Sequence, residues 1–433
     1  MRICVPIDYG MRANVTSLNV IVKNLFFELG KIMNSKKNFT VAGTLLSNLG
    51  IGDINLHYDC TLIPNMGGFR FPPSSTSNVK KLYIGLVGID EVVLGEEVYM
   101  KKSDWEYNRP IIKREIKKWE ERIDEIENIQ VSTIAEQKQM EEFLYIPKSK
   151  MTVIPYGVDH NIFKPAINKN DARRKILSKL LLKNSPYFLH VSERNWKRKN
   201  LKRIIEAFTN AKQKGVAQNL IIVGRNRPDI IEFAKNKPGI IMIGFVTDEE
   251  LVGLYKGADG LINPSLHEGF GIPLLESMAC GTPVLTSNEY SPPELIKDGG
   301  ITVNPRDVEE ITKKMIEFAK DDELRLELSK KALKRSMEFT WEKFAEGMLD
   351  MMRIDLNVPK ESKNLQFEKN FTYAYNRTIV TISQLHKQKD FTRELLQFDY
   401  KLITDWIRNY GFTDNEWRYY TLPFKEHMMK VTK

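Results

Sequence analysis

The chain is short of several things that would have narrowed its function at once. Cysteine is scarce: three in 433 residues (Cys4, Cys60, Cys280), odd in number and widely spaced. That pattern excludes a disulfide framework and gives no zinc-ligand spacing, and it suits reduced thiols in the cytosol. No apolar run approaches the ~20 residues needed to cross a bilayer, so any membrane contact is expected to be peripheral. The opening Met1–Ile7 is too short for a signal h-region and reads as a first strand. Internal repeats, low-complexity segments and a compelling Asp-X-Asp metal motif are absent. An interleaved basic and aromatic platform is missing too, which argues against nucleic acid as partner.

The charge balance and the length are informative. A net charge of +9 suits an acidic partner: a phosphorylated donor, a lipid phosphate or an anionic membrane surface. At 433 residues the chain has room for two or three domains, each with a core of its own.

From about residue 185 to 340, short apolar runs alternate with helical periodicity. The runs are Tyr187–Val191, Asn219–Val223, Ile240–Gly244, Gly260–Asn263, Pro283–Thr286 and Ile301–Val303; the helical segments include Leu201–Lys212, Asp248–Tyr255 and Val308–Ala319. Strict alternation of this kind predicts an α/β domain with a parallel sheet covered on both faces. Ligands of such sheets gather at the carboxyl ends of strands. The first 150 residues are less regular but read as a second, shorter doubly wound domain, with strands near 1–7, 40–43, 81–87 and 129–134. Ile54–Ser77, rich in Pro, Gly and Ser, is expected to loop out. Residues 104–128 read as a charged helix whose Lys113, Arg114, Lys117 and Lys118 could touch lipid headgroups. Pro155 and Gly157 mark an interdomain link at Thr152–Asp159. Beyond Asp355, helically spaced Leu395, Phe398, Leu402, Trp406 and Ile407 precede a Trp/Tyr-rich end.

Just past the run Gly260–Asn263, the stretch Glu268-Gly-Phe-Gly-Ile-Pro-Leu-Leu-Glu276 places two carboxylates eight residues apart around a Gly-X-Gly turn and the start of a helix. The turn frees backbone N–H groups, and the helix N-terminus concentrates partial positive charge, so a phosphate can sit there. A carboxylate on either side could then grip hydroxyls flanking a diphosphate. In isolation such a pair is more often a cap and a solvated helix residue. Its surroundings change the balance.

Six segments in order carry a resemblance to the retaining glycosyltransferases of family 4, which have the GT-B fold. They are IPYGVDHNIFKP (154–165), HVSERNWKRKNLKRIIEAF (190–208), IGFVTDEELVGLYKGAD (243–259), INPSLHEGFGIPLLESMACGTPVLTSN (262–288), PPELIKDGGITVNP (292–305) and FTWEKFAE (339–346). The resemblance implies two Rossmann-like domains facing across a cleft. An acceptor domain would cover 1–150 and a nucleotide-sugar domain 151–340, with a crossover helix and helical extension over 341–433. It implies a metal-independent enzyme without a cofactor, moving a sugar with retention from a nucleotide-diphosphate-sugar to a hydroxyl of a glycan, lipid or small molecule. Assembly of surface polysaccharide, glycolipid or glycan at the cytoplasmic face of the inner membrane is the expected setting.

By the same resemblance, Arg194 and Lys199 form a phosphate-binding basic pair, with Lys197 and Arg198 leaving the register open. Glu268 faces the transferred sugar and Glu276 the ribose hydroxyls. The amides of Phe270, Gly271 and Ile272 approach the diphosphate, and Gly244, Phe245 and Val246 border the base. Bulk at 269 or 271 would block that approach. His190 and His267 read as structural neighbours of the donor motifs. The N-terminal half departs from the pattern: Gly10 alone stands where a Gly-Gly loop is common, and His57 is the candidate for a histidine near the reacting sugar, with a satisfied loop histidine as the alternative. Gly67-Gly68-Phe69-Arg70 is either an acceptor contact or a plain turn. Two other functions compete: a GT-B disaccharide phosphorylase, and a non-catalytic GT-B sugar- or nucleotide-binding scaffold.

Overall fold

The computed structural model describes residues 2–6, 40–44, 59–67, 70–72, 81–99, 101–192, 196–224 and 227–354, together with helical positions between 20 and 32. The tail from 355, with its Leu395–Ile407 stripe, lies outside the described residues, as does Gly10.

Two six-stranded sheets, parallel throughout, organise the chain. In the first, β1 (Arg2–Pro6), β2 (Thr40–Thr44), β3 (Cys60–Gly67), β4 (Leu82–Val87), β5 (Asn128–Val131) and β6 (Met151–Val153) stand in the order β2-β1-β3-β4-β5-β6. In the second, β7 (Tyr187–Ser192), β8 (Asn219–Gly224), β9 (Ile240–Gly244), β10 (Gly260–Asn263), β11 (Val284–Ser287) and β12 (Gly300–Val303) stand in the order β12-β11-β10-β7-β8-β9. Read from its own first strand, the second sheet has the 3-2-1-4-5-6 order of dinucleotide-binding folds. Its strand order reverses between β7 and β10, which opens a crevice at their carboxyl ends.

These strands are Val/Ile/Leu runs because helices cover both faces. Ile262, Leu285 and Val303 join one buried cluster with Phe208 and Phe318. Leu189, Leu261 and Val284 face the other way, into a cluster with Leu254, Leu275 and Met278. The helix Leu201–Gln213 presents Ile204, Ile205, Phe208 and Ala211 inward, the i, i+4, i+7 stripe of a one-sided helix.

The first sheet corrects one expectation. The segment expected to loop out contains β3, which pairs with β1 on one side and β4 on the other. Its first residues, Cys60, Thr61, Leu62 and Ile63, are all buried. Pro64, the turn-like residue that disguised the strand, falls where the pairing with β4 shifts register between Ile63 and Met66. Such a bulge accommodates a residue that lacks an N–H. The change of sheet falls after β6 at Val153, a few residues beyond the boundary expected at 150.

The final described helix, Trp341–Met351, returns to the first sheet. Its Phe344, Met348 and Leu349 share a buried cluster with Ile3, Leu62 and Tyr83. Gly157 is needed for this return: a Cβ there would lie 2.2 Å from the Trp341 nitrogen. The long charged helix runs over Lys102–Arg122 and buries Ile112, Glu115 and Trp119. Its Lys113, Arg114 and Lys117 face solvent. Among the described residues, no helix is long and apolar enough to cross a membrane.

Candidate active site

The crevice between β7 and β10 is built by the two loops that leave those strands. Residues Trp196–Asn200 follow β7, and Pro264–Gly271 follow β10. They are stitched together: Leu266 N–H donates to the Arg198 carbonyl (2.8 Å), Arg198 Nη1 to the His267 carbonyl (2.8 Å), and Asn200 Nδ2 to the Pro264 carbonyl (3.0 Å). Asn200 sits at φ +60°, a left-handed turn that asparagine tolerates better than most residues.

The stitching buries a charged cluster. Lys199 Nζ donates to Glu268 Oε1 at 2.5 Å, and Arg198 Nη1 donates to Glu268 Oε2 at 3.1 Å. Lys199 and Glu268 are 7% and 5% exposed, so this pair is screened far less than a surface ion pair. Burial opposes ionisation of Glu268, but the Lys199 and Arg198 cations outweigh it and hold the carboxyl well below the usual carboxylate range. Asp90, from the first-sheet half, approaches Arg198 Nε at 3.5 Å.

After Glu268 the chain turns at Gly271, whose φ of +100° suits glycine, and enters the helix Ile272–Ala279 with Pro273 in its first turn. Phe270's ring is taken up by the core, edge-on to Tyr156 (5.3 Å) and Phe339 (5.9 Å). Only its backbone is left for a ligand. Ile272 is buried as well. Glu276 lies part-buried on that helix and accepts from Tyr255 Oη at 2.9 Å. Burial raises its carboxyl to about 7 against the opposing Tyr255 hydrogen bond, and Asp248 adds to the rise. Gly244 closes β9 at φ +71°. Phe245 is 67% exposed, so it is an uncommitted ring, while Val246 packs against the core.

Both flanking histidines are buried and neutral near pH 7, each lowered to about 4 chiefly by burial. His190 Nδ1 bonds the Ile262 carbonyl (2.8 Å), and His267 Nε2 meets Gln139 Oε1 (2.8 Å). Arg194 and His57 lie outside the described residues. Arg198 and Lys199 are the basic residues seen on Glu268 among the described residues. Among the described residues no cluster of His, Cys, Asp or Glu is grouped to hold a metal ion.

Gly269 meets the opposite sheet. Its carbonyl accepts from Ser291 Oγ (2.6 Å) and lies 3.1 Å from Ser132 Oγ. A Cβ at 269 would stand 3.1 Å from the Gly88 nitrogen and 3.1 Å from Glu136 Oε1. The glycine therefore serves close packing between halves, in addition to any approach by a ligand. Glu136 itself is fully buried; it accepts from Gly88 N–H (3.0 Å) and Ser132 N–H (2.7 Å). Sequence reasoning missed these partners. One signal was present: Thr133-x-x-Glu136 before an apolar run is a helix-start pattern, and Thr133 does accept from Glu136 N–H at 2.9 Å.

With two parallel sheets contributing to one cleft, the architecture is GT-B. Over 81% of the chain it resembles sucrose-phosphate synthase from Thermosynechococcus elongatus, 98% of which is covered, at 16% identity and a TM-score of 0.61. WaaG, a glycosyltransferase involved in lipopolysaccharide biosynthesis, gives the same coverage at 15% identity and a TM-score of 0.59. Anabaena HepE, solved in complex with UDP and glucose, is 15% identical over 82% of this chain and 99% of its own, with a TM-score of 0.56. Within that fold, residues 172–335 match the family of glycosyl transferases group 1, and they include the whole Lys199–Glu268–Glu276 arrangement.

Curated relatives match over shorter stretches. The Escherichia coli O-antigen chain mannosyltransferase B is 37% identical over 113 residues, 26% of this chain and 30% of that protein. The E. coli serotype-specific mannosyltransferase WbdA is 38% identical over 129 residues, 30% of this chain and 16% of its own length. A probable sucrose-phosphate synthase of Thermosipho melanesiensis is 31% identical over 218 residues, 47% of this chain and 48% of that one. The chain thus spans less than half the length of these relatives.

Proposed function

We propose that this protein is a retaining glycosyltransferase that moves a hexose from a nucleotide-diphosphate-sugar to an acceptor hydroxyl, without a resident metal ion or cofactor. The observation that carries this reading is the buried Lys199–Glu268–Arg198 cluster at the switch point of the second sheet. Breaking the anomeric C–O bond leaves negative charge on a diphosphate. Fixed cations and a helix N-terminus at that place stabilise the transition state more than the ground state. Arg194 and Lys199 are the basic pair expected to meet the diphosphate, the arginine as a fork for two oxygens and Lys199 as a point charge. Glu268, ionised and fixed, is placed to accept from hydroxyls of the sugar. Glu276 accepts from the ribose, Phe245 offers a face to the base, and amides at 270–272 meet the diphosphate. In a front-face route the leaving phosphate takes the acceptor proton, which fits a site whose buried histidines stay neutral and already spend a nitrogen on protein contacts.

The matched relatives include mannosyltransferases, so the first donors to test include GDP-mannose among UDP-, GDP- and ADP-sugars. Nucleotide release by the purified protein, increased by a lipid or glycan acceptor extract and undiminished by EDTA, is the expected result. Phosphate-dependent release of a sugar phosphate would instead identify a phosphorylase, and no nucleotide binding at all a scaffold. Activity that needs Mg²⁺ or Mn²⁺ contradicts the metal-free reading.

A setting at the cytoplasmic membrane face follows from the exposed Lys113, Arg114 and Lys117 of the helix Lys102–Arg122. Cosedimentation with anionic vesicles should fall when these three are changed to Ala, and equal binding to neutral vesicles would refute it.

A further inference from the structure

The donor loop is held from two sides by one directional chain of hydrogen bonds. Glu136 N–H donates to Thr133 Oγ1 at 2.9 Å, in the first turn of the helix Ile134–Leu144. Ser291 has one hydroxyl proton and spends it on the Gly269 carbonyl, so the Thr133 hydroxyl donates to Ser291 Oγ, 2.8 Å away in the other half. Ser291 in turn donates to the Gly269 carbonyl at 2.6 Å. Ser132 Oγ also lies near that carbonyl, at 3.1 Å, but its single proton has a shorter path to Glu136 Oε2 at 2.6 Å. The Gly269 carbonyl therefore depends on Ser291, and Ser291 on Thr133.

Two further observations converge on the same segment. Glu294, three residues on, lays its carboxylate across the exposed end of the helix Ile134–Leu144, accepting from Ile134 N–H (2.9 Å) and Ala135 N–H (3.0 Å). An anion at that end satisfies two orphan donors and the positive end of the helix dipole. Tyr290, one residue earlier, is held at φ +62° and ψ −132°, a conformation that L side chains rarely adopt. That backbone places its ring 4.8 Å from His267, next to Glu268. Residues 290–294 thus touch the donor loop with one end and the opposite half with the other.

We propose that Thr133, Ser291 and Glu294 are positioning residues that tie the geometry of the Glu268–Ile272 loop to docking of the helix Ile134–Leu144, so that the loop is set only while the two halves are together. The geometric claim stands on the contacts alone; its catalytic consequence rests on the glycosyl-transfer reading. Ser291→Ala, which leaves the Thr133 cap in place, and Thr133→Val should each speed hydrogen exchange of the amides at 268–272 about fivefold to tenfold. They should lower kcat by a similar factor while the Kd for free nucleoside diphosphate moves less than about twofold, and Thr133→Ser should restore both readouts. The double variant should be no worse than either single one, since both cut one chain. Unchanged exchange at 268–272, additive effects in the double variant, or equal losses for Thr133→Val and Thr133→Ser would each overturn the proposal. If the wild-type protein turns over no donor, the exchange measurement alone decides the geometric claim, and the functional reading fails separately.

Discussion

The two halves share an architecture and differ in what they bring to the cleft. The second sheet brings buried charge: Lys199 and Arg198, each within hydrogen-bond distance of Glu268. At the same cleft the first sheet brings capping groups and a close-packed backbone: Ser132, Thr133, Glu136 and Gly88, with Asp90 at the margin. On the proposed reading the second half is a binding half and needs fixed charge in a low-dielectric place to meet a phosphorylated ligand. The first is then a closing half, which needs shape and satisfied polar groups. The difference predicts that mutations in one half act on chemistry and those in the other on geometry.

The largest effect is expected where charge is removed. Glu268→Gln and Lys199→Ala should each reduce turnover at least about a hundredfold. Lys199→Ala should also cost about 3 kcal/mol of stability, because it leaves Glu268 buried with one cation in place of two. Turnover under saturating donor and urea unfolding, read together, test this; wild-type turnover from either variant would move the donor site elsewhere.

Next comes shape. Gly269→Ala introduces a methyl 3.1 Å from the Gly88 nitrogen, against backbone that cannot rotate away. The two halves must then part by some tenths of an ångström. We expect roughly a tenfold fall in kcat with nucleotide affinity little changed, smaller than the loss from a charge deletion. A variant that loses nucleotide affinity and keeps kcat would show that Gly269 serves the ligand alone.

The comparison also explains what the sequence disclosed. In the second half, strand and helix periods alternate cleanly, so the fold was legible, and that fold brings Lys199 and Glu268 together. The register of the basic run was not: Lys197, Arg198 and Lys199 stand in a row, and only the turn at Asn200 shows Arg198 and Lys199 on Glu268. In the first half, β3 was hidden because Pro64 and Gly67 look like a turn, and only pairing with β1 and β4 makes a strand of them. The Thr133–Glu136 helix start was visible as a pattern, whereas its partners Ser291 and Glu294 lie roughly 160 residues away and leave no local trace.

A smaller effect should appear as pH dependence in the binding half. The Glu276 carboxyl is raised by burial to about 7, above its ordinary value of 4.5. A raised folded value means that the folded state holds the proton more tightly than the unfolded chain. The stabilisation is fully present below about pH 4.5 and is lost as pH rises through 7. It amounts to about 3.4 kcal/mol at most. Glu276→Gln should flatten stability between pH 5 and 8, and the wild-type protein should bind donor more tightly above pH 7, where the ionised carboxylate accepts best from ribose hydroxyls. A wild-type stability profile that stays flat across that window contradicts the assignment.

The smallest effect belongs to the rim between the halves. Arg306 donates to Glu289 in its own half (2.7 Å) and to Glu97 across the cleft (2.9 Å). Its side chain is 37% exposed and those of Glu97 and Glu289 are 34% and 31% exposed, so solvent and salt screen all three. Arg306→Ala should cost less than about 1 kcal/mol at low salt and nothing measurable at 0.5 M, where the Debye length is about 4 Å. Closure itself should survive, because the Thr133–Ser291–Gly269 chain lies deeper and owes little to long-range charge. Hydrogen exchange at 268–272 separates the alternatives. If Arg306→Ala loosens that loop as much as Ser291→Ala does, closure is an electrostatic event at the rim and the division between a charged half and a shaped half fails.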